Sequence, residues 1–134
     1  MIQNKIVVRY QDGKILKGHT SDFLPAKLTF HLSIFNAPPG TAPVEVQVSG
    51  VKAIFFVKDF AGNREHKEAE GFPEGKSAGG RKITVLFKDG ETMTGTTQGY
   101  DPKRPGFFIV PADASSNNDR CFVVAGATEK VSFV

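Results

Sequence analysis

Apolar and polar residues alternate from Lys5 to Thr20, KIVVRYQDGKILKGHT, on either side of an Asp-Gly pair, and the pattern returns as Lys82 to Thr97, KITVLFKDGETMTGTT. Alternation places every second side chain on one face of a strand, and Asp-Gly between two such runs predicts a β-hairpin. The register follows from the side chains. A two-residue Asp12-Gly13 turn would oppose Val8 to Lys17 and put a lysine on the apolar face. A three-residue Gln11-Asp12-Gly13 loop instead opposes Tyr10 to Lys14, Val8 to Leu16 and Ile6 to Gly18, and we expect the second. Gly13 then takes the left-handed position of a turn followed by a bulge, where a Cβ would clash. By the same register Val85 faces Met93 and Ile83 faces Gly95. Gly18 and Gly95 fall inside strands, where glycine marks a sharp bend or a close backbone approach.

The correspondence extends well beyond the hairpins. Laid on one another without a gap, residues 5–57 and 82–134 agree at 13 of 53 positions, including Asp12/Asp89, Gly18/Gly95, Pro25/Pro102, Phe30/Phe107 and Phe56/Phe133. This is the signature of an internal repeat. Each copy reads as about five short strands. Thr29–Phe35 and Phe107–Val110 are predicted third strands, Val44–Val48 and Cys121–Val124 fourth strands, and Val51–Val57 and Lys130–Val134 fifth strands. Three segments are expected: a first repeat at 1–57, a charged Gly-rich connector at 58–81 and a second repeat at 82–134. Asn63 is placed to cap one or two helical turns through Ala69, and Lys76–Gly80 has the composition of a flexible linker.

The run Ala53-Ile-Phe-Phe-Val57 is apolar on both faces, as in a strand covered on both sides. Ile54 and Phe56 share a face with Val131 and Phe133 of the copy and are assigned to the repeat's own core. Phe55 then points the other way, where the copy carries Ser132. An exposed Phe55 flanked by Ala53 and Val57 would form an apolar stripe, so these three residues are expected at an interface between the repeats or between protomers.

Composition sets the scale. A chain of 134 residues fits one ordinary domain or two very small ones, and a 53-residue unit is near the lower limit for a core of its own. The repeats are therefore expected to bury surface against each other. No run approaches the roughly eighteen apolar residues that span a bilayer. Lys5 and Arg9 interrupt what would have to be a signal-peptide core, so a cytoplasmic protein is expected, and the single Cys121 leaves no internal disulfide.

What both copies keep is turn chemistry and apolar alternation, with no shared His, Cys or paired carboxylate that would define a reaction. Gly71-Phe-Pro-Glu-Gly-Lys-Ser77 imitates a phosphate-binding loop but has one residue too few between its glycines and contains Pro73. Asp113-Ala-Ser115 matches half of a cyclic-dinucleotide motif, without the arginine partners that motif needs. His19, His31 and His66 lack ligand partners at metal spacing. Neither an enzymatic activity nor a cofactor or metal is expected.

Charge separates the two copies. The first holds six basic and three acidic residues, the connector five and five and the second six and six, so the net charge of +3 belongs to the first repeat. Its hairpin turns Lys5, Arg9, Lys17 and His19 to the outer face, together with Val7 and Ile15. The same positions in the copy, Lys82, Thr84, Leu86, Thr92, Thr94 and Thr96, are nearly neutral. A basic strand face attracts phosphates, although lysines serve equally well to keep a strand soluble.

The strand, Asp-Gly turn, glycine five residues on and aromatic five further resemble the opening of the Sm/LSm small-barrel family. In the second copy Gly95, Tyr100 and Asp101 match its Gly-x4-aromatic-Asp run. The resemblance implies a five-stranded barrel for each repeat. It does not carry over the family's uridine pocket, because Pro105 stands at the Asn position and Ser49-Gly50 or Ala125-Gly126 at the Arg-Gly position. The runs Gly18–Phe23 and Lys52–Phe60 also resemble a group of uncharacterised bacterial domains.

These readings combine into an all-β protein of two repeated small barrels, or half-barrels fused into one. Its expected function is that of a non-enzymatic binding or assembly module for a protein partner or a second copy, with no membrane association. The alternative is nucleic-acid or anionic-ligand binding through Lys5, Arg9, Lys17 and His19.

Overall fold

The computed structural model describes residues 4–58, 80–101, 103–111 and 118–133. The expected helix after Asn63, the Gly71–Ser77 loop, His66 and Asp113–Ser115 lie outside them. Ten strands are present among the described residues. The first five are β1 (Asn4–Tyr10), β2 (Ile15–Thr20), β3 (Thr29–Ile34), β4 (Val44–Gln47) and β5 (Val51–Val57). The second five are β6 (Arg81–Phe87), β7 (Thr92–Thr97), β8 (Gly106–Pro111), β9 (Asn118–Val124) and β10 (Thr128–Phe133). One 3-10 turn, Val48–Gly50, joins β4 to β5, and another, Ala125–Ala127, joins β9 to β10. None of the helices in the described residues is long and apolar enough to cross a membrane.

Both hairpins take the three-residue register. Ile6 faces Gly18 and Val8 faces Leu16, while Ile83 faces Gly95 and Val85 faces Met93. The Tyr10 N–H donates to the Lys14 carbonyl at 2.9 Å, and the Phe87 N–H to that of Glu91 at 2.8 Å. Gly13 and Gly90 have φ of 95° and 92°, the left-handed region that glycine enters without strain. Asp12 and Asp89 brace the turns, their Oδ1 atoms accepting from the Lys14 and Glu91 N–H groups. Gly18 and Gly95 are close approaches: a Cβ at either would collide with the Ser33 or Val110 carbonyl of the adjacent strand.

The ten strands form a single antiparallel sheet in the order β10-β6-β7-β8-β9-β5-β1-β2-β3-β4. It is open, and the closed barrels expected from the sequence are not formed. The pairing shows why. Closing either half would join its fourth strand to its fifth, but β5 pairs with β1 on one side and with β9 of the other half on the other. That leaves β4 and β10 as the two ends of the sheet among the described residues.

Two cores lie against this sheet. The first is formed by Ile6, Val8, Phe30, Leu32, Val46 and Val51 with Ile54 and Phe56 of β5, and it also takes Phe122 and Val124 from β9. The second is formed by Ile83, Val85, Phe87, Phe107, Ile109, Cys121 and Val123, and it takes Ala53 from β5. Strands β5 and β9 thus supply alternate residues to opposite cores, which is why β5 is apolar on both faces. Burying apolar surface on both sides of two paired strands ties the halves together more strongly than main-chain pairing alone would.

Candidate functional site: the seam and the outer face

The three residues expected at an interface, Ala53, Phe55 and Val57, lie on β5. Ala53 is fully buried opposite Val123, Phe55 is half-buried opposite Cys121 and packs against the second core, and Val57 is buried opposite the Asn118 backbone. Cys121 is itself buried, and burial pushes its thiol well above the usual range, which removes the thiolate that reactivity requires.

An aromatic group closes the other side of the seam. Phe23, from the loop after β2, meets Phe30, Phe56 and Phe122 edge-on with centroids 5.2, 5.8 and 5.1 Å away. The Arg120 guanidinium of β9 lies 4.4 Å from the Phe56 ring and 4.7 Å from that of Phe108, so one cation covers an aromatic ring from each half.

A polar latch crosses the seam as well. Lys52, at the start of β5, keeps only 7% of its side chain exposed, and its Nζ lies 2.7 Å from Asp89 and 3.2 Å from Glu91 on the β6–β7 turn. The same ammonium sits 4.8 Å from the Phe87 ring centre. The hydrogen bond from Lys52, followed by that from the Glu91 N–H, holds the Asp89 carboxyl below its ordinary range. Arg9 reaches the same turn, 3.7 Å from Glu91, and lies 5.5 Å from the Phe55 ring. Beside the latch, Gln11, Lys52, Phe87, Lys88, Asp89 and Ala127 line a shallow cleft of about 210 Å3. The latch has a faint sequence signal, a lone lysine inside the apolar run VKAIFFV, but nothing local reveals which carboxylates meet it.

The expected basic face is divided. Lys5 faces His19 across the hairpin and Val7 faces Lys17, so three of the four residues share the outer surface of β1 and β2. Arg9 is drawn to the seam by Glu91. The Phe35 N–H donates to the Lys17 carbonyl at 2.9 Å, which extends this surface with a ring that is 44% exposed, and Ile15 at 50% flanks it. At the far end of this half, Asp22 binds His31: its Oδ1 accepts from the backbone N–H at 2.9 Å and its Oδ2 is 2.7 Å from Nδ1. Desolvation works against the Asp22 carboxylate, but the His31 and Thr20 hydrogen bonds outweigh it and keep its pKa low. No group of three His, Cys, Asp or Glu residues that could hold a metal occurs among the described residues.

An open ten-stranded antiparallel sheet, folded around two cores that share their central strands, defines the class of protein. The chain belongs to a family of unknown function, DUF6982, whose model matches residues 2–134. No curated protein and no solved structure matches it.

Proposed function

We propose that the chain is a non-enzymatic binding and assembly module, a tandem of two repeated five-stranded units joined through a shared open sheet, that holds a protein partner on the outer face of its first half. The observation that carries this reading is the placement of exposed Phe35 and Ile15 around Lys17, with Lys5 and His19 one row further along the same strands. Partly exposed apolar side chains beside positive charge suit an acidic protein surface with an apolar centre. The second half offers no equivalent, because threonines stand where the first half has Ile15, Lys17 and His19. The test is affinity capture with the wild-type chain and with a Phe35→Ser/Lys17→Glu variant of unchanged melting temperature. A partner held by the wild type and lost by the variant supports the reading, and equal retention places the site elsewhere.

The exposed lysines favour one second reading, an anionic ligand or nucleic acid on the same face. Titrating RNA and single-stranded DNA with salt distinguishes it. Binding whose salt slope falls in a Lys5→Ala/Lys17→Ala variant supports the nucleic-acid reading, and an unchanged slope excludes this face.

A further inference from the structure

The β5·β9 joint is heterologous: the fifth strand of one half meets the fourth strand of the other. A heterologous contact that leaves its two counterpart edges open can repeat from copy to copy, as a ring or as a filament. Here those edges are β4, which corresponds to β9, and β10, which corresponds to β5, at a constant separation of 77 residues. We infer that four polar replacements on these edges, Glu45, Gln47, Lys130 and Ser132, restrict the joint to a single use, so that the sheet ends at ten strands and the edges refuse another copy of the chain.

Register carries the inference. In the internal joint Ala53 faces Val123 and Ile54 faces Phe122, with Ala53 sent into the second core and Phe122 into the first. Transposed by 77 residues, the same joint between copies would set Lys130 of one opposite Val46 of the next, and Val131 of the first opposite Glu45. Lys130 would then enter the neighbour's first core at the place Ala53 holds in the internal joint. Glu45 would enter the second core of the first copy at the place of Phe122. Adjacent positions along a strand point to opposite faces, so the two charges would be buried on different sides of the sheet and could not neutralise each other. Gln47 in place of Val124 and Ser132 in place of Phe55 add two further polar side chains where the internal joint is apolar. In the chain as it stands Glu45, Gln47 and Lys130 are exposed, where they cost nothing. Inward-directed charge on an open edge is a known means of preventing edge-to-edge association.

Two single-edge variants test this, Glu45→Phe/Gln47→Val on β4 and Lys130→Ala/Ser132→Phe on β10. Each alone keeps one refusing edge and is expected to sediment as a monomer. Mixed, they present one complete joint and are expected to form a one-to-one complex of twice the monomer mass. If either variant loses its native circular dichroism, the milder pair Glu45→Val and Lys130→Ala is mixed instead. Folded variants that stay monomeric on mixing overturn the proposal. The wild type is expected to remain a single species over a wide concentration range. Growth abolished by Ser132→Lys overturns the proposal too, whereas growth insensitive to that change lies away from these edges and agrees with it.

Discussion

The two hairpins have the same register, the same Asp-Gly turn and the same glycine against a neighbouring carbonyl, yet they do different work. The β1–β2 turn is held within its own half, the Gln11 N–H donating to the Gly50 carbonyl at 3.0 Å, and its Lys14 lies over the Tyr10 ring at 5.5 Å. The β6–β7 turn ends at the seam, where Asp89 and Glu91 receive Lys52 and Glu91 also receives Arg9. Local chemistry determines the shape of a turn, and its neighbours determine its role. Glu91 stands where the first turn has Lys14, but Asp89 has the same residue, Asp12, as its counterpart, so the latch also depends on Lys52 and Arg9 facing the second turn.

The largest effect is expected when the halves are separated. Residues 1–60 expressed alone lose β9, and with it the pairing of β5 and the contribution of Phe122 and Val124 to the first core. Phe55 loses its cover too, which is worth roughly 1.5–3 kcal/mol, a large share of the stability of so small a unit. The fragment is expected to be unfolded or self-associating. Amide exchange and light scattering check this, and a well-folded monomeric fragment would show that the halves are independent.

Next come the turn glycines. A Cβ at Gly13 or Gly90 meets nothing within 4 Å, so valine there costs only the strain of a left-handed β-branched residue, roughly 1–2 kcal/mol. Gly90→Val is expected to be the worse of the two in urea denaturation, since distorting its turn also moves Asp89 and Glu91 away from Lys52. Equal losses would mean that the latch adds nothing to the turn.

Much of the fold is legible in the sequence because it is local. The hairpin register follows from keeping Lys17 off the apolar face, the close approaches from glycines inside strands, and the two-sided burial of β5 from the apolar run Ala53-Ile-Phe-Phe-Val57. What is not legible depends on the choice of partner strand. Nothing in Val51–Val57 says whether its second edge closes a barrel with β4 or joins β9, because both pairings use the same main-chain groups. The same gap affects the site. Lys5, Lys17 and His19 share a face by alternation alone, whereas the removal of Arg9 to the seam depends on Glu91, eighty-two residues further along the chain.

Lys52→Met examines the latch from its buried side. Methionine keeps the packing over Phe87 and removes the hydrogen bonds to carboxylates that are half exposed and can return to water. A loss of about 1 kcal/mol is expected, well short of the cost of stranding a charge in the interior. Lys14→Met in the other hairpin, where the ammonium is on the surface, is expected to leave stability unchanged. A Lys52→Met protein as stable as the wild type would reduce the latch to decoration.

The smallest and sharpest contrast is between Asp12→Asn and Asp89→Asn. Both substitutions leave a side-chain oxygen to accept the turn N–H, from Lys14 in one case and Glu91 in the other, so both turns keep their shape. Only the second removes a charge that Lys52 meets at 2.7 Å. Because Lys52 lowers the Asp89 pKa below its ordinary 3.8, the unfolded chain binds more protons than the folded one as the solution is acidified. The stabilisation is therefore complete at pH values above 3.8 and is lost as pH falls through the lower folded value. Asp89→Asn is expected to melt below the wild type at neutral pH and to converge with it in acid, while Asp12→Asn follows the wild type throughout. Melting curves recorded from neutral pH into the acid range decide the point, and a gap for Asp89→Asn that persists undiminished after the carboxylate is protonated would assign the loss to turn geometry instead of to the charge.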